Sequence, residues 1–291
     1  MTDWHDIQSS IRDAVHNKFE IADAAPVGGG CINKAYRLQG KDGTRYFVKL
    51  NDARQLPMFE AEAQGLQAIA QTGAIRVPQP IAHGTSGGKS YLVLEYLEFG
   101  ARGNARLLGE QLAALHRNTT DKFGFAHDNF IGSTPQPNRW AHDWIGFLRE
   151  KRFGFQLQLA KQNGYGGRLQ DLGAALLEKL PVFFDGYAPQ PSLLHGDLWG
   201  GNHAFLTDGT PVIFDPAAYY GDREADIAMT ELFGGYPGDF YAAYRAAWPL
   251  DDGYATRSEL YNLYHILNHA NLFGSGYARQ AEGMMQRLLT I

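Results

Sequence analysis

The 291 residues are 44% apolar and 20% charged and carry a net charge of −5, an ordinary globular balance without a lysine- or arginine-rich run, so nucleic acid is not expected as a partner. One cysteine, Cys31, cannot form an internal disulfide and suits the reducing cytosol, so a cytoplasmic location is expected. The first twenty residues hold no apolar leader run, and the densest apolar stretch, residues 91–97, is too short to cross a bilayer, so no membrane contact is expected.

Trp4, Ile7, Ile11 and Val15 recur at helical spacing and predict an amphipathic helix over residues 3–18. Gly28, Gly29 and Gly30 then form a turn into a strand at 34–38, and Gly40-Lys41-Asp42-Gly43 separates that strand from another at 44–50, a hairpin. Consecutive glycines let backbone amides approach phosphate oxygens, yet the run matches neither a Walker A nor GxGxxG, and a plain turn remains the alternative. Lys49 ends the second strand, where a lysine beside a glycine loop grips nucleotide phosphates. A helix over 56–71 offers Glu60 and Glu62 as its partner. Glu62 is preferred because it precedes the apolar anchors Leu66 and Ile69 by one and two turns.

Residues 91–97 read as a buried strand leading to a hinge at Glu95, Tyr96 and Leu97, where backbone groups would meet an adenine. Residues 1–97 thus form a nucleotide-binding lobe and 98–291 a mainly helical lobe with helices at 107–116, 140–160, 168–184 and 258–271. Residues 123–138 lack periodicity and read as a structured loop, a candidate substrate wall. On the last helix, Tyr261, His265, Asn268 and His269 form a polar stripe that borders either the site or solvent.

The most informative stretch is LLHGDLWGGN at 193–202, followed by VIFDP at 212–216. An acid, Asp197, an amide five residues on, Asn202, and a second acid closing the next apolar run, Asp215, make the layout of a kinase catalytic loop and its metal aspartate. Asp197 can accept the proton of an attacking hydroxyl, and Asn202 and Asp215 can offer hard oxygens to Mg²⁺ on the phosphates of a nucleotide. Asp226 stands where a buried acid could hydrogen-bond the backbone of that loop.

HGDLWGGN, DPAAYYGDREADIAM, GGGCIN and DNFIGSTPQPN together resemble the fructosamine kinase or ketosamine-3-kinase family, over about residues 26–274. The resemblance implies a bilobal, protein-kinase-like α+β fold, with an antiparallel sheet and one main helix in the first lobe. It also implies ATP- and Mg²⁺-dependent phosphorylation of the 3-hydroxyl of a free or protein-bound ketosamine, a deglycation repair. Carried onto this sequence, it makes Asp197 the base and Asn202 and Asp215 the metal ligands. Gly28–Gly30, Lys49 and Glu62 fall on the nucleotide, Trp199 walls the sugar pocket, and Arg223 and Glu224 position substrate or loop. Cys31 reads either as a small buried side chain or as a thiol that oxidises to a disulfide-linked homodimer, so the chain is a monomer or such a dimer. The alternatives are a related small-molecule kinase of the aminoglycoside or choline kinase type and a nucleotide-binding pseudokinase. A metal hydrolase built on His195, Asp197 and Asp215 would leave Lys49 without a role.

Overall fold

The computed structural model describes residues 4–28 and 33–291. The chain divides into two compact units, one of Met1–Asn104 with Ala204–Asp215 and one of Ala105–His203 with Pro216–Ile291. Residues 204–215, which the sequence reading left with the second lobe, therefore group with the first.

The first unit opens with α1 (Trp4–Val15) and continues through β1 (Ile21–Val27), β2 (Lys34–Gly40), β3 (Arg45–Asp52), α2 (Leu56–Gln71), β4 (Pro80–Ser86) and β5 (Lys89–Glu95). The helix stops short of residue 18 because His16 takes a left-handed φ of 52°. Five strands pair antiparallel in the order β1-β2-β3-β5-β4. The β2–β3 hairpin closes where Asp42 accepts from the Thr44 amide at 3.0 Å and Gly43 takes a φ of 85°.

Alternation along β3 and β5 puts Tyr46, Val48, Leu50, Tyr91 and Val93 on the face that buries Ile7 and Ile11 of α1. Residues of the other parity face α2, whose Phe59, Leu66 and Ile69 are fully buried. The 204–215 segment is tied to this unit by Ile213 N donating to Arg76 O at 3.0 Å, by Gly100 N donating to Phe205 O at 2.8 Å, and by the stacked rings of Phe99 and Phe214.

The second unit begins with α3 (Ala105–His116), and the stretch read as a structured loop contains a small hairpin of β6 (Asn129–Ile131) and β7 (Thr134–Gln136). The next helix begins at 144 instead of 140, because Asp143 caps it by accepting from Ile145 N and Gly146 N. It runs as α4 (Trp144–Phe147), a π-helical turn (Leu148–Gly154) and α5 (Phe155–Gln162). Then comes α6 (Arg168–Lys179), which tightens to a 3₁₀ turn at Leu180–Phe184 where Pro181 removes an amide donor. Next is β8 (Ser192–Leu194); after β9 (His203–Phe205) and its partner β10 (Pro211–Ile213), which but for His203 lie in the segment grouped with the first unit, comes β11 (Tyr219–Gly221), which pairs antiparallel with β8. Four helices complete the chain: α7 (Glu224–Leu232), α8 (Gly238–Ala247), α9 (Tyr254–Phe273) and α10 (Ser275–Thr290). Leu260, Leu263 and Leu267 of α9 are fully buried in the core of this unit. A sheet unit with one main internal helix and a mainly helical unit make up the α+β architecture expected from the sequence. Among the described residues no helix is long and apolar enough to cross a membrane.

Helices α3 and α8 meet at Gly109, where an added Cβ would fall inside contact distance of the Phe240 carbonyl oxygen. Helix propensity favours alanine there by about 1 kcal/mol, but the obstacle is backbone and cannot rotate away. Gly109→Ala is therefore expected to destabilise by about 1–3 kcal/mol, read as a lowered Tm. A raised Tm would mean the helices separate at no cost.

Candidate active site

In the first unit, β-alternation aims Lys49 at α2, opposite in parity to Val48 and Leu50. Phe59, Glu62, Leu66 and Ile69 share the buried stripe of α2, whereas Glu60 lies roughly 200° around the helix from Glu62. Lys49 Nζ accordingly donates to Glu62 Oε1 at 2.7 Å, and it also donates to Asp215 Oδ1. Burial alone would depress the Lys49 ammonium, but the carboxylates of Asp215 and Glu62 outweigh it and raise its pKa. Burial likewise lifts Glu62 against the pull of Lys49. The lysine is thus a permanent cation, held rigid by one buried partner, Glu62, and one half-exposed partner, Asp215.

Asp215 has a φ of 58° and precedes Pro216, two conditions disfavoured for a non-glycine residue. Strain of this kind persists where the surroundings dictate it, and here the salt bridge to Lys49 does so. Of the remaining first-unit residues, Gly28 directly follows β1, while Gly29, Gly30 and Cys31 lie outside the described residues. The Glu95 amide is already committed to Gln79 O at 2.9 Å, and its carboxylate pairs with Arg76. The guanidinium of Arg45 lies 4.9 Å from the Tyr96 ring centroid, and Leu97 is partly buried.

In the second unit, the pairing of β8 with β11 fixes where the 195–202 loop begins. Asp226, in the first turn of α7, accepts from His195 N at 2.7 Å and Gly196 N at 2.8 Å. Gly196 needs its φ of 82° and its missing side chain, because the Ala217 carbonyl oxygen occupies the place of a Cβ. Ala217 N donates to His195 O at 2.9 Å, adding a second anchor, and Tyr236 Oη donates to Trp199 O at 3.1 Å, a third. At the far end, Asn202 N donates to Trp199 O at 3.0 Å, and Asn202 Nδ2 donates to Asp197 O at 2.8 Å and Oδ2 at 3.3 Å. With its amide nitrogen so engaged, Asn202 has its carbonyl oxygen Oδ1 to offer a cation. Asp215 offers a half-exposed carboxylate, also a hard oxygen donor. Among the described residues no group of three or more His, Cys, Asp or Glu forms a metal cage.

The substrate residues expected from the resemblance divide. Trp199 is 40% exposed and meets the Phe233 ring edge-on, 6.3 Å between centroids, so it keeps a face open. Arg223 and Glu224 are corrected: both are buried with their polar groups engaged, so neither presents itself to a ligand. Arg223 donates to Tyr244 Oη and to the Trp248 and Pro249 carbonyls, and its guanidinium lies over the Trp248 ring. Glu224 is paired through both oxygens with Arg257. The 123–138 loop is corrected in part, since its Asn129, Gln136 and Asn138 point into the interior. Of the polar stripe of α9, Tyr261, His265 and Asn268 are interior, with Tyr261 Oη donating to Asp222, while His269 is half-buried. Tyr236, His116 and Ala217 escaped the sequence reading. Nothing in a sequence marks a backbone carbonyl such as Ala217 O, and a lone tyrosine or histidine carries no spacing signal.

Burial would raise the Asp226 carboxyl, but the His116 hydrogen bond, the neighbouring histidines and the Gly196 amide together hold it below its ordinary value. A depressed carboxylate stabilises the fold above its unfolded pKa, and that contribution disappears as pH falls through the folded pKa. Asp226→Asn should cost about 3 kcal/mol near neutrality, with one loop amide left without its acceptor. The gap between wild type and variant in denaturant unfolding should then narrow as pH falls below about 4. A gap unchanged from pH 7 to pH 3 would show that the charge of Asp226 has no part in holding the loop.

Comparison with known proteins gives the same answer from three sides. A family model described as fructosamine kinase matches residues 3–291. A Synechocystis protein named as a candidate ketoamine kinase is 51% identical over 99% of this chain and 97% of its own length. The chloroplastic protein-ribulosamine 3-kinase of Arabidopsis thaliana is 45% identical over 93% of this chain and 83% of its own. A crystal structure of a candidate fructosamine-3-kinase from Haemophilus somnus superposes with a TM-score of 0.88 at 31% identity, covering 97% of this chain and 96% of that one. The chain belongs to the fructosamine kinase family.

Proposed function

We propose that this chain transfers the γ-phosphate of ATP to the 3-hydroxyl of a ketosamine, with Asp197 as the base. The observation that carries the reading is the constraint on the Asp197 loop. It is pinned by Asp226, Ala217 and Tyr236 and closed by Asn202, which holds one carboxylate in one place. Relatives named for ketoamine and ribulosamine phosphorylation support the acceptor class.

In this reading Asp197 takes the hydroxyl proton as the sugar oxygen bonds to the γ-phosphorus and the bond from that phosphorus to the bridging oxygen breaks, releasing ADP. Lys49, kept cationic and aimed by Glu62, holds the phosphates, and Gly28–Gly30 cover them. Carbonyl and amide groups of the Glu95–Leu97 segment receive the adenine, the Glu95 N–H excepted because Gln79 holds it. A magnesium ion held by Asn202 Oδ1 and Asp215 would neutralise charge on the phosphates. Trp199 offers its open indole face to the sugar ring. The single cysteine is consistent with a cytoplasmic setting.

Asp197→Asn is expected to lower kcat by roughly 10²–10⁴ while leaving the thermal shift given by ATP and Mg²⁺ nearly intact. Turnover within tenfold of wild type would remove Asp197 from the role. Asp215→Ala should reduce that thermal shift itself, and an undiminished shift would contradict the metal assignment. For Trp199→Ala the ketosamine KM should rise several-fold while the ATP KM holds. A lowered Tm with both KM values unchanged would make Trp199 a packing residue instead.

A further inference from the structure

Ala217 is anchored on both sides of its peptide. Its N–H donates to His195 O at 2.9 Å, and its carbonyl oxygen lies against the α-carbon of Gly196. That same carbonyl accepts from Gln136 Nε2 at 3.1 Å, and the next carbonyl, of Ala218, accepts from Asn129 Nδ2 at 2.8 Å. We propose that Gln136 is a positioning residue for the Asp197 loop, acting through the Ala217 peptide. The proposal rests on the reading of Asp197 as the base.

What makes Gln136 more than a buried amide is that its orientation is forced. Its nitrogen donates to Ala217 O and to Asn129 Oδ1, the latter at 2.8 Å, and its Oε1 accepts from Tyr264 Oη at 2.8 Å. A flipped amide would set Oε1 against two acceptors. Asn129 cannot flip either, because its Oδ1 already accepts from Gln136 and from Asn138 Nδ2. Asn138 is fixed in turn by Arg152, whose Nη2 donates to Asn138 Oδ1 at 2.8 Å and Nη1 to Pro137 O at 2.7 Å.

The network therefore has two donor chains that meet at Asn129 Oδ1. One starts on the Arg152 guanidinium, which can only donate, and passes through Asn138 and Asn129 to Ala218 O; the other starts on Tyr264 Oη and passes through Gln136 to Ala217 O. Arg152 is itself immobilised in the π-helical turn, 1% exposed, with its guanidinium 4.5 Å from the Phe147 ring centroid and 4.1 Å from that of Tyr219. Every member of the chain of amides is buried, so no water competes for the bonds and loss of one link leaves partners unsatisfied. Ala217 cannot move without drawing His195 O with it, two residues before Asp197.

Gln136→Met removes the donor to Ala217. Tyr264→Phe keeps the volume but frees the amide to turn, a milder lesion that serves if the first variant folds poorly. Steady-state kinetics with ATP and a fructosyl-amine would be run well below each variant's Tm, beside Asp197→Asn. The expected result is a fall in kcat of about tenfold or more for Gln136→Met and a smaller fall for Tyr264→Phe, with the ATP KM within about twofold of wild type. A purely structural role would lower Tm and leave the kcat of the folded fraction unchanged, which overturns the proposal. Should Asp197→Asn be inactive while both variants keep wild-type kcat, the proposal alone falls. Should Asp197→Asn remain active, the reading of Asp197 falls and the proposal with it.

Discussion

The second unit is arranged around one buried carboxylate. Asp226 accepts from two consecutive backbone amides, His195 and Gly196, and from His116 Nε2 at 3.1 Å. A carboxylate out of water is tolerable only when its lone pairs are met, and three donors converge on this one. That requirement fixes the start of α7 against the end of β8, and so fixes where the loop bearing Asp197 begins. The glycine at 196 follows from the same geometry, since the loop turns with Ala217 O where a side chain would stand.

A comparable bargain holds in the first unit, with the charges reversed. Lys49 is a buried cation, and its position is dictated by one buried acid and by one residue, Asp215, held in a disfavoured backbone conformation. Left-handed φ at a non-glycine residue ahead of proline costs on the order of 1–3 kcal/mol, and it stands here where half-exposed Asp215 is paired with the buried Lys49. The strained residue is also the one proposed above as a metal ligand, in keeping with the tendency of strain to gather at functional positions. Asp215 is the last residue of the first unit's share of the chain, and Pro216 resumes the second unit.

Much of this was legible in the sequence because it is written in side chains at fixed spacings. Lys49 on a strand, Glu62 on the apolar stripe of the following helix, and the Asp197–Asn202 interval each follow from period and chemistry. Asp226 was legible as an acid one helix downstream of the loop. What could not be read was anything expressed through backbone or through burial. Arg223 and Glu224 look like site residues in a charged run, yet Arg257 and the Trp248–Pro249 carbonyls claim them in the interior. The 123–138 stretch looks like a loop because it lacks periodicity, but its amides form a buried hydrogen-bonded network that no periodicity encodes. Helix boundaries moved for equally local reasons, at Asp143 by capping and at Pro181 by a missing donor.

The central claim is that this chain transfers a phosphoryl group to a sugar hydroxyl. It is tested most directly by following the labelled γ-phosphate of ATP in the presence of a fructosyl- or ribulosyl-lysine, with the product resolved by phosphorus and carbon NMR. The account predicts ADP formed in step with acceptor consumed, and the phosphate carried on the oxygen at carbon 3 of the sugar. Label appearing only as inorganic phosphate at a rate indifferent to the ketosamine, or carried on a different hydroxyl, would contradict it.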